Sequence, residues 1–289
     1  MLEHDYMAVI MLGLIRPWAK RPIVVAQNVW LFNTIEQINP LLRAFYLFLA
    51  RRSDLQMTHS AACLPVMAAA LPGVPTHLMY FGISGDSFPM VAPELKRQRP
   101  DGTIRIVAAG NDKTRHWTTL LAAYGNDDRF DLTIVCQRLP DSLLGQYTNL
   151  TLPRNPSMSD FSRLYREADF VVVPMVPNRF SGITVALEAT AAGTPLICSA
   201  TGGVPTYFAE DACIFVPPGN AAAMRDAALT FLGEAGLDIA RQAQNTFLAR
   251  DYTTKGMISR YAALTEELLR GREEATSASP LPRTIEPEL

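Results

Sequence analysis

The chain has 289 residues, of which 48% are hydrophobic and 19% charged, and a formal net charge of -2. That much apolar chain fills one large or two medium cores, which excludes a disordered protein, and the balanced charge excludes the basic excess of a general nucleic-acid binder. The four cysteines, Cys63, Cys136, Cys198 and Cys213, form no CxxC pair or Cys/His cluster, so they read as buried free thiols in a reducing compartment.

The opening MLEHDYMAVIMLGLI places acidic residues before a short apolar run that Arg16 interrupts, which fits neither a signal peptide nor a full membrane span. Residues 6–12 and 23–26 read as buried strands with a turn over 17–21 between them. The stretch 31–52 contains the amphipathic helix LLRAFYLFLARR, whose two terminal arginines suit the negative end of a helix dipole. Strands over 55–58 and 76–80 flank a helix within 61–70, and 96–102 reads as an exposed linker.

Beyond the linker the alternation is regular. Strands are expected over 103–109, 130–136, 149–152, 169–174 and 196–198, with helices over 160–167, 183–192, 221–232, 239–248 and 257–270. Strands alternating with helices of this length imply a parallel sheet covered on both faces, a Rossmann-like domain. The tail from 271 is polar, rich in Pro and Ser, and is expected to be disordered.

The most informative stretch is PMVPNRFSGITVALEATAAGTPLICSATGG, from Pro174 to Gly203, which joins a strand, a glycine turn, a helix and a second strand. Ser181, Gly182 and Ile183 stand at the start of the helix, where amides without intrahelical partners beside the positive dipole end suit an anion. Gly182 brings no Cβ against a phosphate. Glu188, two turns on, lies on the same face, within reach of ribose hydroxyls. From these residues alone, an ordinary crossover unit with Ser181 as cap and a solvated Glu188 is an equal alternative. The loop GNDKTRHW, from Gly110 to Trp117, carries Lys113 and Arg115 at what should be the carboxyl edge of the sheet. Two solvated surface cations are the competing account of that loop.

The segment resembles the donor-binding region of family 4 glycosyltransferases, the retaining group with the GT-B fold. The resemblance rests on Glu188, Ala189, Gly193, Pro195, Gly202, Gly203 and Val216-Pro217-Pro218-Gly219 in that order. It departs from the Glu-x7-Glu pattern at Phe180, where the first carboxylate would stand. FGISGDSFPM is similar, loosely, to the segment by which members leave the N-terminal domain. Where members carry a His, IVVAQNVW offers Gln27 and Asn28. In the cation loop Arg115 falls at or beside the family's Lys position and Asn111 takes the Arg position.

The resemblance implies an α/β, GT-B-like fold: two Rossmann-like domains facing a cleft, the N-terminal one incomplete. The domains are 1–95 on the acceptor side, 96–255 on the donor side, a helix 256–270 that crosses back, and the tail 271–289. The implied activity is transfer of a sugar from a nucleotide diphosphate sugar to a polysaccharide, glycolipid or lipid-linked acceptor, with no cofactor and no metal. Arg115 and Glu188 are the expected catalytic residues. Donor contacts are expected from Gly110, Asn111, Lys113, Arg115, Arg154, Ser181, Gly182, Ile183 and Glu188. A nucleotide-sugar-binding subunit that needs a partner chain, and a sugar-nucleotide epimerase, are the alternatives. A cytoplasmic chain in peripheral contact with the inner membrane face, through the arginine-ended helix, is a further expectation, with core packing as its alternative.

Overall fold

A computed structural model describes residues 3–16, 22–96 and 99–277. The expected turn over 17–21 and the tail from 278 lie outside the described residues, as do two residues of the linker. The described residues form two separate parallel sheets, one of three strands and one of six.

The first sheet takes β1 (Val25–Asn28), β2 (Leu55–Thr58) and β3 (Thr76–Leu78) in sequence order. Residues 6–12, expected as a strand, instead lie within helix α1 (Glu3–Ile15). A short apolar run carries no period of its own, and the Met, Ala and Leu content favours the helix, which buries Tyr6, Met7 and Ile10 at helical spacing. The buried Glu3 carboxylate fixes the start of α1 by accepting from the amides of Val29, Trp30 and Leu31. Helix α2 (Pro40–Ala50) begins with Asn39 accepting from the Leu41 amide, and Pro40 fits the first turn because its missing N–H has no intrahelical role there. Helix α3 (Leu64–Ala70) completes the crossover to β3. Ala26, Leu31, Phe32, Leu49 and Met67 form one core with the α1 residues.

The second sheet contains β4 (Ile104–Ala109), β5 (Phe130–Val135), β6 (Leu150–Thr151), β7 (Phe170–Val173), β8 (Leu196–Ser199) and β9 (Ile214–Val216). Their spatial order is β6-β5-β4-β7-β8-β9, all parallel. Alternate side chains separate onto two faces. Val171 and Val173 join one core with helix α6 (Ile183–Ala191), while Phe170 and Val172 join the other with α4 (Trp117–Tyr124) and α7 (Ala221–Thr230). Helices α5 (Met158–Glu167) and α8 (Glu234–Arg250) pack on the α6 side through Tyr165, Ala243 and Phe247. All four cysteines are buried and free.

Helix α9 (Thr254–Ser277) begins earlier and runs longer than the expected 257–270, so residues 271–277, expected to be disordered, are helical. It returns to the first sheet, where the Tyr261 hydroxyl donates to Gln27 Oε1 at 2.8 Å. No helix among the described residues is long and apolar enough to cross a membrane. Leu41 is 84% exposed, and Leu42, Phe45 and Phe48 are exposed beside it, so the outer face of α2 is not packed on the core.

The chain passes from the first sheet to the second through FGISGDSF, where Ile83 bridges Thr253 and closes the return path. A Cβ at Gly82 would lie 2.0 Å from the Thr253 carbonyl oxygen, whereas one at Gly85 would meet nothing within 4 Å. Gly82→Ala should therefore destabilise the chain by about 1–3 kcal/mol, while Gly85→Ala should leave stability within about 0.5 kcal/mol of the parent. Paired thermal melts of the two variants check this.

Candidate functional site

The strand order of the large sheet reverses direction between β4 and β7, so the loops leaving those two strands diverge and open a crevice at their carboxyl ends. In open α/β sheets that is where ligands bind. Three loops meet there. The His116 amide donates to Pro174 O at 3.0 Å and the Val176 amide to Thr114 O at 2.9 Å, which clasps the loop after β4 to the loop after β7. The Ser199 hydroxyl at the end of β8 accepts from the Met175 amide at 2.9 Å.

Arg115 is buried inside this clasp at 8% exposure. Its Nε donates to Ala109 O at 2.9 Å, and one terminal nitrogen lies 3.3 Å from the Asp112 carboxylate in an ion pair without hydrogen-bond geometry. That nitrogen is thus buried with a donor unused, a costly arrangement for a cation unless something else completes it. Gly110 makes the burial possible. Its φ is +144°, and a Cβ there would come within 2.3 Å of Arg115 Nε. The solvated-cation account fits Lys113, which is exposed, and not Arg115. Asn111 Oδ1 accepts from the Gln137 amide at 2.8 Å and links the loops after β4 and β5.

The turn before α6 differs in detail from the sequence expectation. Ser181 does not offer a free amide, because its N–H donates to Asn178 Oδ1 at 2.8 Å, as the Phe180 amide does at 3.0 Å. The cap residue is Gly182, in a left-handed conformation at φ 99°. Its missing Cβ serves internal packing: the atom would lie 2.8 Å from Val204 and 3.0 Å from Met175. The amides of Gly182, Ile183 and Thr184 have no hydrogen-bond partner among the described residues, while the Ala186 amide returns to Gly182 O. Partnerless donors at the positive end of a helix, beside a crevice, are an arrangement that suits an anion.

Glu188 is half-buried on α6, two turns beyond Ser181. Its Oε2 accepts from the Tyr165 hydroxyl at 3.2 Å. Burial pushes the carboxyl up to about 7, and the tyrosine hydrogen bond acts in the opposite sense. A half-buried carboxylate held by the Tyr165 hydroxyl does not fit the account of a fully solvated Glu188. Tyr165 and Asn178 were not singled out from sequence. The Pro-Asn pair before the glycine turn is the one signal that points to an Asx turn at Asn178, and no local pattern pairs Tyr165 with a residue 23 positions away.

Arg154, one of the expected donor contacts, is held by the protein: it donates to Cys136 O, Leu139 O and the Asp141 carboxylate and not to Asp160. Asp160 instead pairs with Arg163 and completes the Ser157 cap. The residue in the first-carboxylate position, Phe180, turns toward the first sheet, its ring 6.2 Å from that of His59. Beside it Arg179 spans the crevice, with terminal nitrogens 2.7 and 3.0 Å from the Glu36 carboxylate.

Comparison with known proteins gives the family and the fold. A family profile described as glycosyl transferases group 1 matches residues 86–234. D-inositol 3-phosphate glycosyltransferase of Mycolicibacterium smegmatis is 29% identical over 170 residues, 56% of this chain and 36% of that protein. Its counterpart from Mycobacterium tuberculosis is 41% identical over 68 residues, 24% of this chain and 14% of that protein. The chain thus spans 36% or less of the length of these curated relatives. Among solved structures, sucrose-phosphate synthase from Thermosynechococcus elongatus superposes with a TM-score of 0.73 at 19% identity, over 92% of this chain and 73% of that one. HepE of Anabaena in complex with UDP-glucose gives 0.72 at 14% identity, over 92% and 77%. These likenesses place the two parallel sheets in the GT-B fold. With the profile covering more than half of its length, the chain belongs to the glycosyl transferases group 1 family.

Proposed function

We propose that the chain is a retaining glycosyltransferase of the family 4 type, which moves a hexose from a nucleotide diphosphate sugar to an acceptor in polysaccharide or glycolipid synthesis. The observation that carries this reading is the meeting, at one crevice, of the partnerless amides of Gly182 to Thr184, the buried Arg115 cation and the half-buried Glu188. In this reading the helix amides hold a phosphate. Arg115 faces the charge that develops on the leaving diphosphate, and Glu188 accepts from ribose hydroxyls. A buried cation and oriented amides stabilise such charge without reorganising, because they are already in place. Lys113, exposed on the same loop, is the second cation for the diphosphate. In this reading the chemistry proceeds without a metal.

A second reading has its own observation. Phe180 packs toward the first sheet where a donor-sugar carboxylate would stand, which favours a nucleotide-sugar-binding chain that a partner completes. Calorimetry with UDP, GDP and ADP separates the readings when joined to sugar-transfer assays. One nucleotide should bind, and Glu188→Ala and Arg115→Ala should each weaken it about tenfold or more, as expected for loss of charged hydrogen bonds. Equal affinity in folded variants contradicts the assignment. Binding without transfer by the isolated chain supports the second reading.

Glu188 also predicts a trade of stability for function. Its carboxyl titrates at about 7 in the fold against an ordinary 4.5, so the native state carries the proton across that window. Stability falls as pH rises through it and remains lower above it. Glu188→Gln should raise stability at pH 8 by on the order of 1–2 kcal/mol, allowing for partial solvent screening, and should change little at pH 5. Thermal melts at both pH values read the difference, and equal shifts at both contradict the burial argument.

We place the chain in the cytoplasm, with the outer face of α2 against the inner membrane surface. Leu41, Leu42, Phe45 and Phe48 are exposed there, and the helix and its end carry Arg43, Arg51 and Arg52 with no acidic residue. Such a helix binds anionic bilayers reversibly. Sedimentation with phosphatidylglycerol vesicles should carry the chain down, and Leu41→Glu with Phe45→Glu should leave it in the supernatant. Equal sedimentation of parent and variant removes the proposal.

A further inference from the structure

Between α5 and α6 lies a buried contact that the proposed chemistry does not yet use. Tyr165, in the last turn of α5, is 0% exposed. Its ring packs 4.7 Å from that of Phe161 and 6.2 Å from that of Phe88. The Thr194 hydroxyl, in the turn after α6, donates to the Tyr165 carbonyl at 2.7 Å and ties the two ends together. The ring therefore has one place to be, and its hydroxyl proton goes to Glu188 Oε2 at 3.2 Å. Burial also raises the phenol far above its ordinary range, so at neutral pH it is a donor that does not ionise.

We propose that Tyr165 is a positioning residue for Glu188: its hydroxyl holds Oε2 and thereby presents Oε1 to the ligand's hydroxyl groups. This rests on the reading of Glu188 as the acceptor for a ribose. Oε1 has no hydrogen-bond partner among the described residues and is not sealed from solvent. A carboxylate on a free rotor spreads its two oxygens over several orientations, whereas one oxygen tied to a fixed donor leaves the other in one direction. The same hydrogen bond favours the ionised acceptor over the neutral acid. The groups around the pair are few. Tyr165 comes from α5, and Arg115, with Asp112 against it, comes from the loop after β4 and acts on the Tyr165 hydroxyl. From α8, Gln244 reaches only backbone carbonyls, at Thr190 and Val91.

A tyrosine whose hydroxyl merely satisfied itself in the core would affect stability and nothing else. Three readouts of the full-length chain go further. First, with ¹³C-labelled Glu side chains and Glu188→Gln to assign the signal, the Glu188 titration midpoint should move to higher pH in Tyr165→Phe. Second, UDP affinity in that variant should fall about tenfold near pH 7, as expected for loss of a hydrogen bond to a charged group. The loss should shrink above pH 8, where Glu188 ionises without help. Third, in the parent labelled at Tyr ¹³Cζ, one tyrosine signal should follow a titration near pH 7 and cease to do so in Glu188→Gln. This last experiment needs no Tyr165 variant to fold.

An unmoved Glu188 midpoint in folded Tyr165→Phe, or no tyrosine signal that follows Glu188, overturns the proposal. A moved midpoint with UDP affinity unchanged in both Tyr165→Phe and Glu188→Ala supports the contact and instead overturns the ribose assignment on which its purpose rests.

Discussion

Burial of one cation organises the carboxyl edge of the large sheet. Arg115 reaches back under the loop that carries it, and Gly110 allows this because no other residue type leaves room for the guanidinium at φ +144°. With Arg115 in place, its backbone neighbours pair with Pro174 and Val176, so the loops after β4 and β7 cannot separate freely. Met175 is in turn tied to Ser199 at the end of β8. Three adjacent strands thus deliver their loops to one point, and α6 starts there with amides that the protein leaves unused. Because the strands are parallel, every crossover helix begins on this side. The divergence between β4 and β7 decides which helix start is accessible.

The crevice is shaped by both sheets. Arg179 and Phe180 leave the donor-side turn and attach to the first sheet, through Glu36 and beside His59. The Ser60 hydroxyl donates to Arg179 O, and the Tyr207 hydroxyl donates to His59 O at 3.0 Å while accepting from the Phe81 amide at 2.8 Å. His59 is buried and its pKa is lowered by that burial, with Nδ1 donating to Met79 O. Its Nε2 accepts from Gln27, whose other amide atom takes the Tyr261 hydroxyl. A neutral hydrogen-bonded chain thus runs from the return helix to His59, its sequence neighbour Ser60 bonds to the donor turn, and the Phe180 ring lies beside His59. An apolar ring suits this partly buried contact, where an unpaired charge would carry a desolvation cost.

Much of the large sheet was legible because two periods coexist in it, apolar runs of strand length and helical segments between Gly, Pro and Asn turns. Strand positions from β4 to β8 agree with the sequence to within a residue or two at each end. The start of the chain was not legible in the same way. MAVIMLGLI suits either strand or helix, and only its burial partners, β1 and the amides that Glu3 caps, decide for helix. At the candidate site, Glu188, Arg115 and the α6 start could be picked out because the signals that mark them are local. The contacts of Ser181 and Gly182 could not, since they depend on Asn178, Val204 and Met175 meeting them in three dimensions. The contacts of Arg154 were hidden for the same reason: the carbonyls that hold it lie up to 18 residues away.

The central claim is that the start of α6 receives the phosphate of a nucleotide. Amide NMR of the ¹⁵N-labelled chain during titration with UDP, GDP or ADP tests it most directly. The account predicts large, saturable shifts at Gly182, Ile183 and Thr184 together with the Arg115 side chain, at one common affinity. Saturable binding that leaves those amides unmoved would contradict it.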